Sequence, residues 1–207
     1  MSPCFIINAR NERVVLIVQV LKDELRHKIL LESEHLFLQR GYDRTSLQMI
    51  ADKVNISKSN LYHYFKNKEE LFYELPDSAA DGLKRMILRF RSMRFDLNMD
   101  AQEFRMLLTE EVLSLLLAEK YGLLLIMEQA NGTRYENLRP VMIELIASKI
   151  VPMLADEENS PMMAQIMARN LVDGTVHILK NRVRPSEVRA GLNQLITYHT
   201  QGMHALQ

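Results

Sequence analysis

Between Ser57 and Lys68 the chain sets out Ser57, Lys58, Ser59 and Asn60 in succession, then Tyr62 and His63, then Lys66 and Lys68. Hydroxyls, an amide and ammonium groups at this density are donors suited to phosphate oxygens and base edges. The charge follows the same segment. From Arg44 to Lys68 five basic residues stand against one acid, Asp52, for a net of +4, while the stretch from Glu69 onward carries a net of −4 and the first 43 residues balance. A chain of formal net charge +0 therefore holds a local positive field. Charge alone also suits a solvated helix face, so the elements that present these groups matter.

Those elements read as short helices. Leu25, Ile29, Ser33, Leu36 and Phe37 share one face of a first helix predicted from Lys22 to Arg40, and Gly41 follows where a left-handed residue ends a helix. Thr45 or Ser46 can cap a second helix running through Val54, with Leu47, Ile50, Ala51 and Val54 as its apolar stripe. Asn55 comes next and tolerates positive φ. Ser57 caps a third helix, Lys58 to Phe65, and Asn67 caps a fourth, with Glu69 and Glu70 favouring its dipole. A helix, a tight turn and a second short helix on a longer first helix is the layout of a helix-turn-helix DNA reader. Lys58, Ser59 and Asn60 then occupy the end that enters the major groove. Leu61 and Phe65 point into the core, Tyr62 and His63 flank it within reach of phosphates, and Lys68 stands at a helix N-terminus, where N–H groups also attract anions.

The rest of the composition agrees with an all-α chain. Of 207 residues, 47% are hydrophobic, while Gly numbers 7 and Pro 6. A substantial core is available. One cysteine, Cys4, forms no intramolecular disulfide, so the cytoplasm is the expected compartment. The apolar run VVLIVQVL after Arg10 and Arg13 is followed by KDELRHK without a small-residue cleavage site, and residues 1–21 read as an N-terminal arm or extension. No run approaches the ~20 apolar residues of a membrane span. The expected division is a reader over 22–68 and a larger helical domain over 69–207. Its helices are predicted to Met93 with a break at Pro76, then over 101–119, 121–131, 134–154, 161–180 and 185–204.

From Ile29 to Leu71, ILLESEHLFLQRGYDRTSLQMIADKVNISKSNLYHYFKNKEEL resembles the N-terminal domain of tetracycline-repressor-type (TetR) transcriptional regulators. The likeness rests on LF…GY, the Thr-Ser before helix 2, the Ile-Ala within it, and V-x-I-S-K-x-x-L-Y-x-Y-F-K-N-K-E-E-L. It covers about a fifth of the chain directly. It implies Gln48, Lys58, Ser59 and Asn60 as base contacts, and Thr45, Ser46, Tyr62, His63, Tyr64 and Lys68 as phosphate contacts. Asn55 stands where the family most often has Gly, Ser59 replaces a frequent Gly, and Glu32-Ser33 replaces a pair commonly alanine. Phe65 reads as core; Tyr62 and Tyr64 stay open between core and surface, and Gln48 between base contact and plain surface. His63 has no second ligand at metal spacing.

The resemblance also implies that the larger domain binds a small-molecule effector and forms a homodimer through its last two helices. One stripe (Met162, Met163, Ile166, Met167, Leu171, Ile178) and a second (Leu192, Leu195, Ile196, His199, Met203) are the expected dimer surface, unless they pack within one subunit. A two-fold pair addresses half-sites one helical turn or more apart, about 34 Å. Phe90, Phe104, Leu108, Leu116, Leu124, Met127 and Met167 are candidate pocket lining, with Glu128, Asn131, Asn170, Asp173 and His177 as orienting polar groups. The effector would be partly apolar, since flexible Met residues suit adaptable walls, though core filling explains them equally. Glu128 and Asp173 could instead pair with Arg134 and Arg169. Nucleotide, hydrolase and metal motifs are absent, which leaves no catalytic residues, no cofactor and no metal to assign. The implied function is a ligand-responsive, sequence-specific transcriptional regulator of operator DNA, a repressor in most such families. An architectural or co-repressor protein that binds DNA without a ligand is the alternative.

Overall fold

The computed structural model describes residues 9–92, 112–154, 158–182 and 184–204, with side chains described between 19 and 202. Those residues form α1 (Ala9–Arg40), α2 (Leu47–Val54), α3 (Lys58–Leu61), α4 (Lys68–Glu74), α5 (Asp77–Ser92), α6 (112–118), α7 (Lys120–Glu128), α8 (Leu138–Ile150), α9 (Ser160–Asn181) and α10 (Pro185–His204). The chain is all-α, with an N-terminal helix-turn-helix and a C-terminal helical domain. Helix 1, expected from Lys22, starts at Ala9, because no Gly or Pro interrupts residues 9–40, so residues 9–21 of the expected arm or extension are helical. Pro76 separates α4 from α5, and α8 starts at Leu138 because Gly132, at φ +73°, and the turn after it hold the chain out of helix.

The reader is built by its caps. Ser46 accepts a bond from Met49 N–H at the start of α2, Ser57 from Asn60 N–H at the start of α3, and Asn67 from Glu70 N–H at the start of α4. Asn55 takes φ 63° and ψ 49°, so its N–H closes the end of α2 on the carbonyls of Ala51 and Asp52. Regular α3 stops at Leu61 rather than Phe65. Tighter three-residue bonds from His63 N–H to Asn60 O and from Tyr64 N–H to Leu61 O follow it. Phe65 is brought under Leu61, and both are buried with Ile29, Phe37, Ile50 and Val54.

Aromatic rings then carry the packing out of the reader. Phe72 of α4 meets Phe37 edge-on at 5.0 Å and Tyr42 at 4.9 Å, Tyr73 follows at 5.9 Å, and Tyr135 lies 5.5 Å from Tyr73. Tyr135 and Arg134 both donate to the Asp77 carboxylate, and the Arg134 guanidinium covers the Tyr73 ring at 4.0 Å. Burial, then the bond to Asp77, push the Tyr135 hydroxyl up to about 12. A phenol pKa raised by folding stabilises the fold fully below its unfolded value near 10, and that contribution vanishes as pH rises toward 12. Tyr135→Phe should therefore cost on the order of 1–2 kcal/mol in urea titrations at neutral pH. The deficit should shrink between pH about 10 and about 12; a deficit constant with pH would contradict it.

In the larger domain α9 packs between α8 and α10, and α5 lies on α7. The predicted dimer stripes divide between the interior and the surface. Met167, Leu192, Ile196 and His199 are buried, and Met163, Leu171, Ile178 and Leu195 are half-buried. Leu195 closes over Gly174, where an added Cβ would come within 2.9 Å of it, and Ile178 meets Gly191 in the same way at 3.2 Å. The His199 ring lies between the carbonyls of Leu195 and Met167, at 3.2 and 3.1 Å, and ties α10 to α9. The side chain of Met203 falls outside the described residues. Facing outward on these helices are Met162, Ile166 and Tyr198, exposed by 58%, 44% and 68%. The predicted stripes thus hold both the seam between α9 and α10 and, through Met162 and Ile166, part of an outward face.

Candidate nucleic-acid interface

Ser57 frees the first turn of α3 by capping it, and the buried Leu61 anchors that turn to the core. Lys58 and Ser59 are exposed and Asn60 is half-exposed on that turn. The Lys58 ammonium lies 5.9 Å from the centre of the Tyr62 ring, which is itself 47% exposed, and His63 is exposed beside it. Lys58, Ser59, Asn60 and Tyr62 therefore form one outward surface of cation, hydroxyl, amide and phenol. Gln48 is exposed on α2 and donates to Asp52 at 2.7 Å, and Ser46 is exposed at the α2 cap.

Three predicted phosphate contacts are placed differently. Thr45 is 1% exposed and its hydroxyl donates to the Gly41 carbonyl at 2.8 Å, which corrects its assignment: it holds the turn between α1 and α2. Tyr64 is half-buried against the core. The Lys68 ammonium donates to the Tyr42 carbonyl at 2.9 Å and covers the Tyr42 ring at 4.0 Å. Its charge reaches the surface only in part. Arg26 braces the reader from behind, over the Phe65 ring at 5.2 Å and paired with Glu74 at 2.5 Å.

The larger domain has a half-open cavity of about 120 Å³, and of the predicted lining residues Phe90, Leu116 and Met127 stand at its wall. The other expected lining is corrected. Glu128 pairs with Lys180 at 2.9 Å, Asn170 and His177 are exposed, and Leu124 and Met167 are buried away from the cavity wall. Asp173 pairs with Arg139 at 2.5 Å rather than with Arg169. Phe104 and Leu108 lie outside the described residues. Sequence reasoning missed Leu83, Met86, Val172, Thr175 and Val176, which line the cavity. The signal was available on α9: Ala164, Ala168, Val172, Val176 and Leu179 recur at helical spacing and are all buried.

Residues 29–75 match the family described as bacterial regulatory proteins, tetR family. That span begins at the buried Ile29 of α1 and takes in the capped turn and α3 through α4. Over those residues the chain carries a TetR-type N-terminal domain. Among its relatives is the biofilm operon icaADBC HTH-type negative transcriptional regulator IcaR of Staphylococcus epidermidis, 42% identical over 65 residues, which are 31% of this chain and 35% of that one. IcaR of Staphylococcus aureus strain Newman is 34% identical over 64 residues, 31% of this chain and 34% of the relative. The match thus spans about a third of the length of these curated relatives. Among solved structures, native NalD, the secondary repressor of the MexAB-OprM multidrug efflux pump in Pseudomonas aeruginosa, is similar with a TM-score of 0.53. It is 22% identical, over 87% of this chain and 97% of that one. A TetR family transcriptional regulator from Chloroflexus aurantiacus has a TM-score of 0.54 at 16% identity, over 89% and 92% of the two chains. At these identities the likeness is one of fold, and it extends beyond the reader. Among the described residues, no helix is long and apolar enough to cross a membrane, and no group of three or more His, Cys, Asp or Glu could hold a metal ion.

Proposed function

We propose that this chain is a dimeric TetR-family repressor that reads operator DNA through the first turn of α3 and loosens its hold when a small molecule enters the larger domain. The observation that carries the reading is the division within α3: Lys58, Ser59 and Asn60 face outward, while Leu61 and Phe65 are fixed in the core. In this reading Lys58, Ser59 and Asn60 meet base edges, with Gln48 nearby on α2. Ser46, Tyr62 and His63 hold phosphates, and Lys68 assists from the next helix. Functionally, residues 22–68 read DNA and 69–207 respond and pair. The negative regulators among the relatives support repression over activation. Met162, Ile166 and Tyr198, outward on α9 and α10, support a two-fold pairing face. The apolar cavity between α5 and α9 favours a ligand-responsive regulator over a purely architectural DNA binder.

The test starts from an operator obtained by randomised-site selection, titrated by fluorescence anisotropy at several salt concentrations. Lys58→Ala should weaken binding and lower the salt slope by about one per reader that loses a phosphate or base-edge charge. Asn60→Ala should relax preference at one base position, a discrimination of about 1–3 kcal/mol. Unchanged slope and unchanged preference together would refute the α3 reading. Ile166→Glu should convert a dimer to a monomer in sedimentation equilibrium and abolish the advantage of a two-half-site duplex over one half-site. A dimer that survives it refutes that pairing face.

A further inference from the structure

The larger-domain cavity has walls whose chemistry constrains an occupant. It measures about 120 Å³, and Leu83, Met86 and Phe90 of α5 face Val172, Val176 and Leu179 of α9 across it. An apolar cavity of about 150 Å³ is known to stay dry and admit benzene, so the volume suits one ring or a short chain. Among the described residues that line it, no side chain is charged and Thr175 alone is polar. A charged ligand group would lose its hydration there without a counter-charge, at a cost of several kcal/mol. Thr175 narrows the choice further. Its hydroxyl hydrogen is donated to the Leu171 carbonyl at 2.8 Å, so the oxygen has only acceptor capacity left.

We infer that this cavity binds a neutral, largely apolar molecule of about benzene size that carries a single hydrogen-bond donor, the chemistry of phenol, with that donor on Thr175 Oγ1. The inference rests on the reading of the larger domain as effector-binding. It fits the surroundings as well. A wider cleft lined by Arg85 and Glu119 shares Met86, Phe90, Val112 and Leu115 with the cavity wall, so a route inward passes flexible apolar side chains. An occupant would press on α5 and α9 together, one leading back to the reader and the other packed on α10.

Calorimetry on the full chain without DNA, with phenol, benzene and benzoate as probes, tests it. Phenol should bind, benzene should bind roughly three- to tenfold more weakly for want of one hydrogen bond, and benzoate should give no heat. Thr175→Val keeps the shape and should make phenol and benzene equal while leaving benzene unchanged. Val176→Phe should fill the cavity and abolish both; if that variant fails to fold, the Thr175→Val comparison decides alone. Benzoate binding as well as phenol, or wild-type phenol binding no better than benzene, overturns the inference. Operator release by phenol is read separately by anisotropy. Binding without release upholds the ligand class and counts against the effector reading. No binding of either neutral probe, with operator binding intact in the same preparation, overturns the ligand class and leaves the DNA reading standing.

Discussion

Phe65→Ala should lower the free energy of unfolding by about 3–5 kcal/mol and take operator binding with it. Phe65 is 1% exposed, directly below Leu61, with the Arg26 guanidinium on its ring at 5.2 Å. Truncation therefore removes buried apolar surface, leaves a cavity and strips a cation from its aromatic partner. Because α3 is only four residues of regular helix, it has little stability of its own, and its direction depends on Leu61 and Phe65. Phe65→Leu should recover more than half of the loss, since most of the volume returns. The comparison is made by urea unfolding beside an anisotropy titration. A wild-type urea midpoint for the alanine variant would refute this account of how α3 is held.

Gly122→Val should destabilise the chain by about 2–3 kcal/mol through a different mechanism. Gly122 lies where α7 crosses the start of α5, and an added Cβ would stand 2.7 Å from the Ala79 Cβ and 3.3 Å from the Pro76 Cα. Neither neighbour is the far end of a flexible side chain, so α5 and α7 must separate. Gly122→Ala should cost less, about 1 kcal/mol, because better helix propensity offsets part of the clash. Thermal unfolding followed by circular dichroism would rank the three proteins, and a valine variant as stable as the wild type would show that the crossing is loose.

Much of the reader was legible because its signals are local. Ser46, Ser57 and Asn67 cap helices by bonds to the next turn, and Asn55 declares its left-handed turn by its residue type. The amphipathic spacing of Leu47, Ile50, Ala51 and Val54 suffices to say which side of α2 is buried. The burial of Thr45 and the partial burial of Lys68 were not legible because their partners, the carbonyls of Gly41 and Tyr42, are backbone groups that no residue pattern advertises. The larger domain was legible as helices and opaque as a site. Whether Met167 faces a cavity, a partner subunit or His199 depends on how α9 is rotated against α10, and that angle is set by Gly174 and Gly191 receiving Leu195 and Ile178. Similarly, Glu128 and Asp173 read as polar pocket groups, but Lys180 and Arg139 meet them once the helices pack.

The aromatic chain from Phe37 and Tyr42 through Phe72 and Tyr73 to Tyr135 bears on how such proteins can be recombined. Leu71 and Phe72, just past Lys68, are wholly buried in the same continuous core that runs from Ile29 to Leu192. A graft that cut the chain after Lys68 and joined the reader to an unrelated partner would leave Phe37 and Tyr42 without their covering ring. The transplantable piece is therefore longer than the part that touches DNA: it must carry α4, the start of α5 and a surface able to replace Tyr135 and Arg134. Modularity here is a property of the seam, and exchanging one half of the molecule means rebuilding the other half's edge.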